Sequence, residues 1–271
     1  MVFSIEILER DGGMEMRARR RLRMRNHLVH SAYWPRAAKV TAAFGEVLLA
    51  SLCKGGTAAR QIAVPALFVQ ALMGALAISY FYASAARGVF EQLVFIKNQV
   101  GLPFAFLTMG TIAVFAELLK RRFDHSSRST PFWREAVYGF LVFGFLGIAT
   151  DAFFLLQGNL WRELPTATRV PVKVLTDQFV YTVFFANPYQ TLLYVWKDCG
   201  FKFGSFIDRL TPFKTFYARE MLAVLVTNWA FWIPTSAVLY SLPVDLQFVM
   251  AQLAIVIWVL LLNAVTRRPG S

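Results

Sequence analysis

Long apolar blocks, each about as long as a bilayer is thick, dominate this sequence. Ile62–Ala85, Leu102–Leu119, Ala136–Leu156, Val174–Trp196, Met221–Tyr240 and Leu246–Val265 are separated by charged connectors. Each runs roughly 18–25 residues, the length a helix needs to cross about 30 Å of hydrocarbon. With no water in that layer, a spanning segment must satisfy its own backbone, which a helix does. The pattern predicts an all-α, multi-pass transmembrane bundle of about six spans. Composition agrees: 57% of the residues are hydrophobic, against about 45–50% in a soluble domain.

Charge sets the orientation. The net charge is +12, and the cations lie in the connectors, not in the blocks. On one side of six alternating spans stand 23 Lys and Arg: 11 in the tail to Arg60, 5 in residues 120–134, 5 in 197–220 and 2 at the C-terminus. The other side has only 5 (Arg87, Lys97, Arg162, Arg169 and Lys173). This bias places both termini on the positive side, cytoplasmic or matrix. Nucleic acid is not expected as a partner, because the run Arg17–Arg25 has no interleaved aromatics. The two cysteines, Cys53 and Cys199, and the histidines His27, His30 and His125 form no metal-ligand spacing. No metal or cofactor is expected.

Three regions follow. Residues 1–61 read as a basic tail with a surface helix over Ala37–Cys53, ended by Lys54–Gly55–Gly56. Residues 62–98 read as an extra N-terminal span and a polar connector that begins at Arg87. Residues 99–268 read as a bundle of five spans. In the first span Ala71, Ala75 and Ser79 recur every four residues. That small-residue stripe is expected to be a packing face, or the contact to a second copy or a partner membrane protein. Gly139, Gly144 and Gly147 thin the third span for close approach in the same way.

The candidate functional residues are polar groups inside the blocks. Asp151, Asp177, Gln178 and Gln252 fall in the outer half of the bilayer on this topology, and Asn228 near its middle. Each needs a protein partner or a wet cavity. Either they hydrogen-bond one another as glue, or they line a water-filled vestibule. Glu117 sits beside Lys120, Arg121 and Arg122, and pairing with them is its simplest role. Lys173, four residues before Asp177, is placed to neutralise it. Asp177, Tyr181, Phe184 and Pro188 fall at i, i+4, i+7 and i+11, one face of a helix, and Pro188 is expected to kink the fourth block near Phe184.

From about Gln99 onward the chain resembles the Mpv-seventeen/PMP-twenty-two-kilodalton family of integral membrane proteins. The resemblance rests on three pieces. GTIAVFAELLKRRF holds Thr108, Gly110 and Glu117 at the family's first-helix spacing. KVLTDQFVYTVFF holds the pair Asp177–Gln178. The C-terminal block holds Asn228, Trp232, Pro243 and Trp258. Glu117 stands where the family usually has Asp, so the chain resembles a divergent, bacterial member. The resemblance implies a helical membrane protein without catalytic chemistry, forming a weakly selective channel or carrier for small solutes that affects membrane homeostasis. The alternative is a non-conducting scaffold. No nucleophile–base set or HExxH motif points to an enzyme. The expected location is the bacterial cytoplasmic membrane, with the mitochondrial inner membrane as the alternative.

Overall fold

The computed structural model describes residues 33–123 and 131–265. The run Arg17–Arg25 and all three histidines lie outside the described residues. Among those described there is no strand. The elements are α1 (Tyr33–Tyr82), α2 (Ser84–Val100), α3 (Leu102–Phe123), α4 (Phe132–Leu160), α5 (Thr166–Leu175), α6 (Asn187–Asp198), α7 (Phe203–Leu210), α8 (Phe213–Phe216), α9 (Ala223–Tyr240) and α10 (Val244–Val265). Two π-helical segments interrupt them: π1 (Thr176–Ala186) after α5, and π2 (Tyr217–Leu222) before α9.

By length and composition, three helices can cross a membrane: Gly45–Tyr82, Leu102–Arg122 and Phe132–Leu160. Phe213–Leu222 and Val224–Tyr240, bent by 42°, make a fourth if they form one span. This is an integral membrane protein with an all-α bundle, in which three to four helices meet the test where six were expected. Val174–Trp196 does not meet it, because it is broken into α5, π1 and α6 and carries several buried polar groups. α10 runs 22 residues, Val244–Val265, over the ground of the sixth expected span, and its stretch Val244–Val259 is apolar.

Two further expectations fail at the N-terminal end. Lys54–Gly55–Gly56 does not end a helix; α1 runs straight through it. Two glycines cost about 2 kcal/mol of helix propensity, but opening the backbone in an apolar medium costs several kcal/mol per unsatisfied group. A Cβ at Gly56 would meet nothing within 4 Å. Gly56→Ala is therefore expected to stabilise the protein by about 0.5–1 kcal/mol, seen as a higher unfolding midpoint in detergent. The segment after Arg87 is likewise not an irregular connector. It is α2, with Phe90, Leu93, Val94 and Lys97 turned inward at the i, i+3, i+4, i+7 spacing of one helix face.

The chain divides into two compact units. One comprises the described part of Met1–Gln61 with Val183–Ala230; the other comprises Ile62–Thr182 with the described part of Phe231–Ser271. The first has a small core of Val195, Phe216 and Met221. The second has the main core, including Val69, Met73, Phe154, Phe231, Phe248 and Trp258. Residues 62–98, set apart in the sequence, thus pack with α3, α4 and α10. The buried residues of α1 in this unit are Pro65, Ala66, Val69, Met73 and Ala77. Ala71 and Ala75 are exposed and Ser79 is half-buried, its hydroxyl bonded to Leu76 O at 2.8 Å. The stripe therefore does not pack within the unit. The neighbouring face of Ala66, Val69, Met73 and Ala77 does.

The α3–α4 hairpin is the closest-packed pair. A Cβ at Gly147 would lie 2.5 Å from Ala105 O and 2.7 Å from Met109 Cβ; one at Gly144 would lie 2.7 Å from the Phe106 ring. Gly110 has the same relation to Phe140 from the opposite helix, at 2.7 Å. Gly139 is buried on the same helix as Gly144 and Gly147. Thr108 returns its hydroxyl to Phe104 O at 2.7 Å, so it serves its own helix.

Candidate functional site: a buried polar network around Asp177

π1 opens with Asp177 and Gln178, both buried. The bonds of a π-helix run from i to i+5, and such segments are normally single turns found at functional sites; this one spans 11 residues. The wider winding decides which side chains face inward. Asp177, Thr182 and Asn187 are buried at steps of five, whereas Phe184 is 77% exposed. The expected face of Asp177, Tyr181, Phe184 and Pro188 assumed α-helical winding and does not hold. Pro188 is the second residue of α6, which continues directly from π1.

The Asp177 carboxylate accepts hydrogen bonds from Gln178 Nε2 at 2.9 Å and from Ser236 Oγ at 3.1 Å. Gln178 Nε2 also reaches Ser236 Oγ at 3.4 Å. Tyr240, one turn beyond Ser236 on α9, interacts with the same carboxyl and accepts a bond from Gln157 Nε2 of α4 at 3.0 Å. Four elements therefore converge: α4, α5, π1 and α9. Lys173 does not neutralise Asp177. Its ammonium lies over the Tyr240 ring, 5.4 Å from the centroid. Among the described residues Asp177 forms no ion pair. The buried Oε1 of Gln157 has no hydrogen-bond partner.

Asp151 belongs to a separate arrangement. Lys97 Nζ is 2.9 Å from Asp151 Oδ1, with the two side chains 5% and 6% exposed. The ammonium also stands 5.9 Å from the Phe248 ring centroid. Asp151 is thus a paired charge inside the bundle, not an unpaired acid facing a vestibule. Glu117 pairs with Arg121 at 2.5 Å, one turn away. Gln252 is buried on α10, its Oε1 without a partner. Asn228 is buried in the first unit. There Asn187 Nδ2 donates to Met221 O of π2 at 3.4 Å.

The C-terminal signature residues are structural in their contacts. Trp258 is buried, with Phe231 stacked on it at 4.2 Å between centroids. Trp232 packs against the same core. Pro243 O accepts from Leu246 N at 3.0 Å, opening α10. Pro234 lies inside α9. Nearby, Phe231 O receives both Thr235 Oγ1 at 2.8 Å and Gln70 Nε2 of α1 at 3.3 Å.

Four members of these networks were not singled out in the sequence: Lys97, Gln157, Ser236 and Tyr240. The signal for Ser236 and Tyr240 was their i, i+4 spacing within an apolar block. For Lys97 it was the seven-residue step from Phe90. No family model, curated protein or solved structure matches the chain. No group of three or more His, Cys, Asp or Glu among the described residues is placed to hold a metal.

Proposed function

We propose that the protein moves small polar solutes through its membrane, as a channel or carrier of low selectivity, with the Asp177 network as the polar station on the path. The observation that carries this reading is a buried carboxylate in an apolar bundle whose partners are neutral donors, Gln178 beside it on π1 and Ser236 and Tyr240 on α9. Removing a charge from water is expensive, and acids inside membrane proteins mark solute and proton pathways. A lone carboxylate favours cations and donor-rich neutral solutes over anions. The winding of π1 turns Asp177 and Gln178 inward together. The resemblance of residues 99–268 to the Mpv-seventeen/PMP-twenty-two-kilodalton family adds the expectation of weak selectivity.

The second reading, a non-conducting scaffold, draws on the Lys97–Asp151 pair, in which one charge satisfies another. Flux into liposomes separates the two. Purified protein should admit small cations or polyols, and Asp177→Asn should lower the rate about tenfold, the effect of losing roughly 1.4 kcal/mol of interaction with the solute. A folded parent protein that passes nothing across the panel overturns the transport reading in favour of the scaffold.

A further inference from the structure

The short helix α7 carries more apolar surface than the core beneath it can cover. Phe203, Ile207, Leu210 and Phe206 occupy one side of the helix, with Gly204, Ser205, Asp208 and Arg209 on the other. Phe206 and Leu210 pack on the core of Val195, Phe216 and Met221. Phe203 and Ile207, at i and i+4, do not; Phe203 is 72% exposed. Phe213, just beyond the helix, is 56% exposed. Lys202 immediately before α7 and Lys214 after it are both exposed. Trp196 and Phe201, their rings edge to face at 5.3 Å, stand at the start of the same segment, and Lys197 lies over the Tyr194 ring at 4.9 Å.

Exposed Phe and Ile on one edge, flanking lysines, and Trp and Tyr beside them are the composition of a helix lying in the headgroup layer. Residues 197–220 hold five cations, Lys197, Lys202, Arg209, Lys214 and Arg219, against three acids, Asp198, Asp208 and Glu220. That excess of cations suits a leaflet that carries anionic lipids.

We propose that Phe201–Lys214 is an interfacial anchor that docks on anionic lipid headgroups, with Phe203 and Ile207 inserted among the acyl chains and Lys202 and Lys214 against the phosphates. It holds the turn between α6 and α8 to the membrane surface, and it does not depend on whether the protein conducts.

Amide hydrogen exchange of the full-length protein tests this, in nanodiscs of phosphatidylcholine alone and of phosphatidylcholine with an equal part of phosphatidylglycerol. Residues 201–214 should exchange about 25-fold more slowly in the anionic discs, since each of the two lysines near such a surface adds roughly fivefold in occupancy. Lys202→Gln with Lys214→Gln should remove that difference while exchange in α3 and α4 stays unchanged. Phe203→Ser with Ile207→Ser should speed exchange of the segment in both discs. Equal rates in the two discs overturn the proposal, as does a lipid-dependent difference that survives the lysine substitutions.

Discussion

Lys97→Met is expected to destabilise the protein by about 3–5 kcal/mol, the cost of leaving a buried charge without its partner. That is a large share of the roughly 5–15 kcal/mol that holds a typical domain folded. The substitution keeps the length and apolar stem of the side chain, so Phe248 and the α2 face lose little packing; what is lost is the ammonium 2.9 Å from Asp151. The decisive measurement is unfolding in mixed detergent micelles of Lys97→Met, Asp151→Leu and the double variant. Each single variant should unfold far earlier than the parent. The double variant should recover most of the loss, because replacing a whole buried pair with apolar side chains is often neutral. A double variant whose loss equals the sum of the two single losses would show that the two charges act independently, and would return Asp151 to the solute path.

Lys97 also shows where the sequence was readable and where it was not. The apolar blocks announce a membrane protein because bilayer length and hydrophobicity are local properties. The inward face of α2 was equally local, since Phe90, Leu93, Val94 and Lys97 follow helical spacing. It was obscured because Arg87, Glu91 and Lys97 gave the segment the polarity of a connector. The Asp177 site was legible as a residue and not as a site. Its partners Ser236 and Gln157 are 59 and 20 residues away in the chain, and nothing in composition pairs them. The π winding was invisible altogether. Winding by i to i+5 bonds leaves no compositional mark, so the buried set at steps of five was read as an α-helical face.

The small-residue stripe of α1 failed for a different reason. In a soluble helix the buried face is the apolar one. In a span both faces are apolar, and the contrast that identifies the inside is gone. Ala71 and Ala75 on one side and Val69 and Met73 on the other were equally credible packing faces. The structure buries Val69 and Met73 together with Ala66 and Ala77 and leaves Leu67, Phe68 and Ile78 exposed, so side-chain size does not mark the packed face. The glycines of α4 were safer guides, because a residue with no side chain in an apolar helix points to close approach whichever way it faces.

Those glycines make the second large prediction. At Gly147 an added Cβ runs into backbone, 2.5 Å from Ala105 O, and into Met109 Cβ at 2.7 Å; neither atom can rotate aside. Gly147→Ala must push α3 and α4 apart, and a cost of about 1–3 kcal/mol is expected from overpacking, with Gly147→Leu at or above the top of that range. At Gly144 the obstacle is the Phe106 ring at 2.7 Å, a side chain that can tilt, although Phe140 and Phe145 hold it edge-on at 5.4 and 5.2 Å. Gly144→Ala should therefore cost less than Gly147→Ala, even though the two contacts look alike in distance. Denaturation of both alanine variants in detergent tests the order. Equal costs would mean that the hairpin yields as a rigid pair and the nature of the obstructing atom does not matter. A larger cost at Gly147 would mean that the backbone of α3 at Ala105, not the aromatic layer around Phe106, sets how closely the two helices can approach.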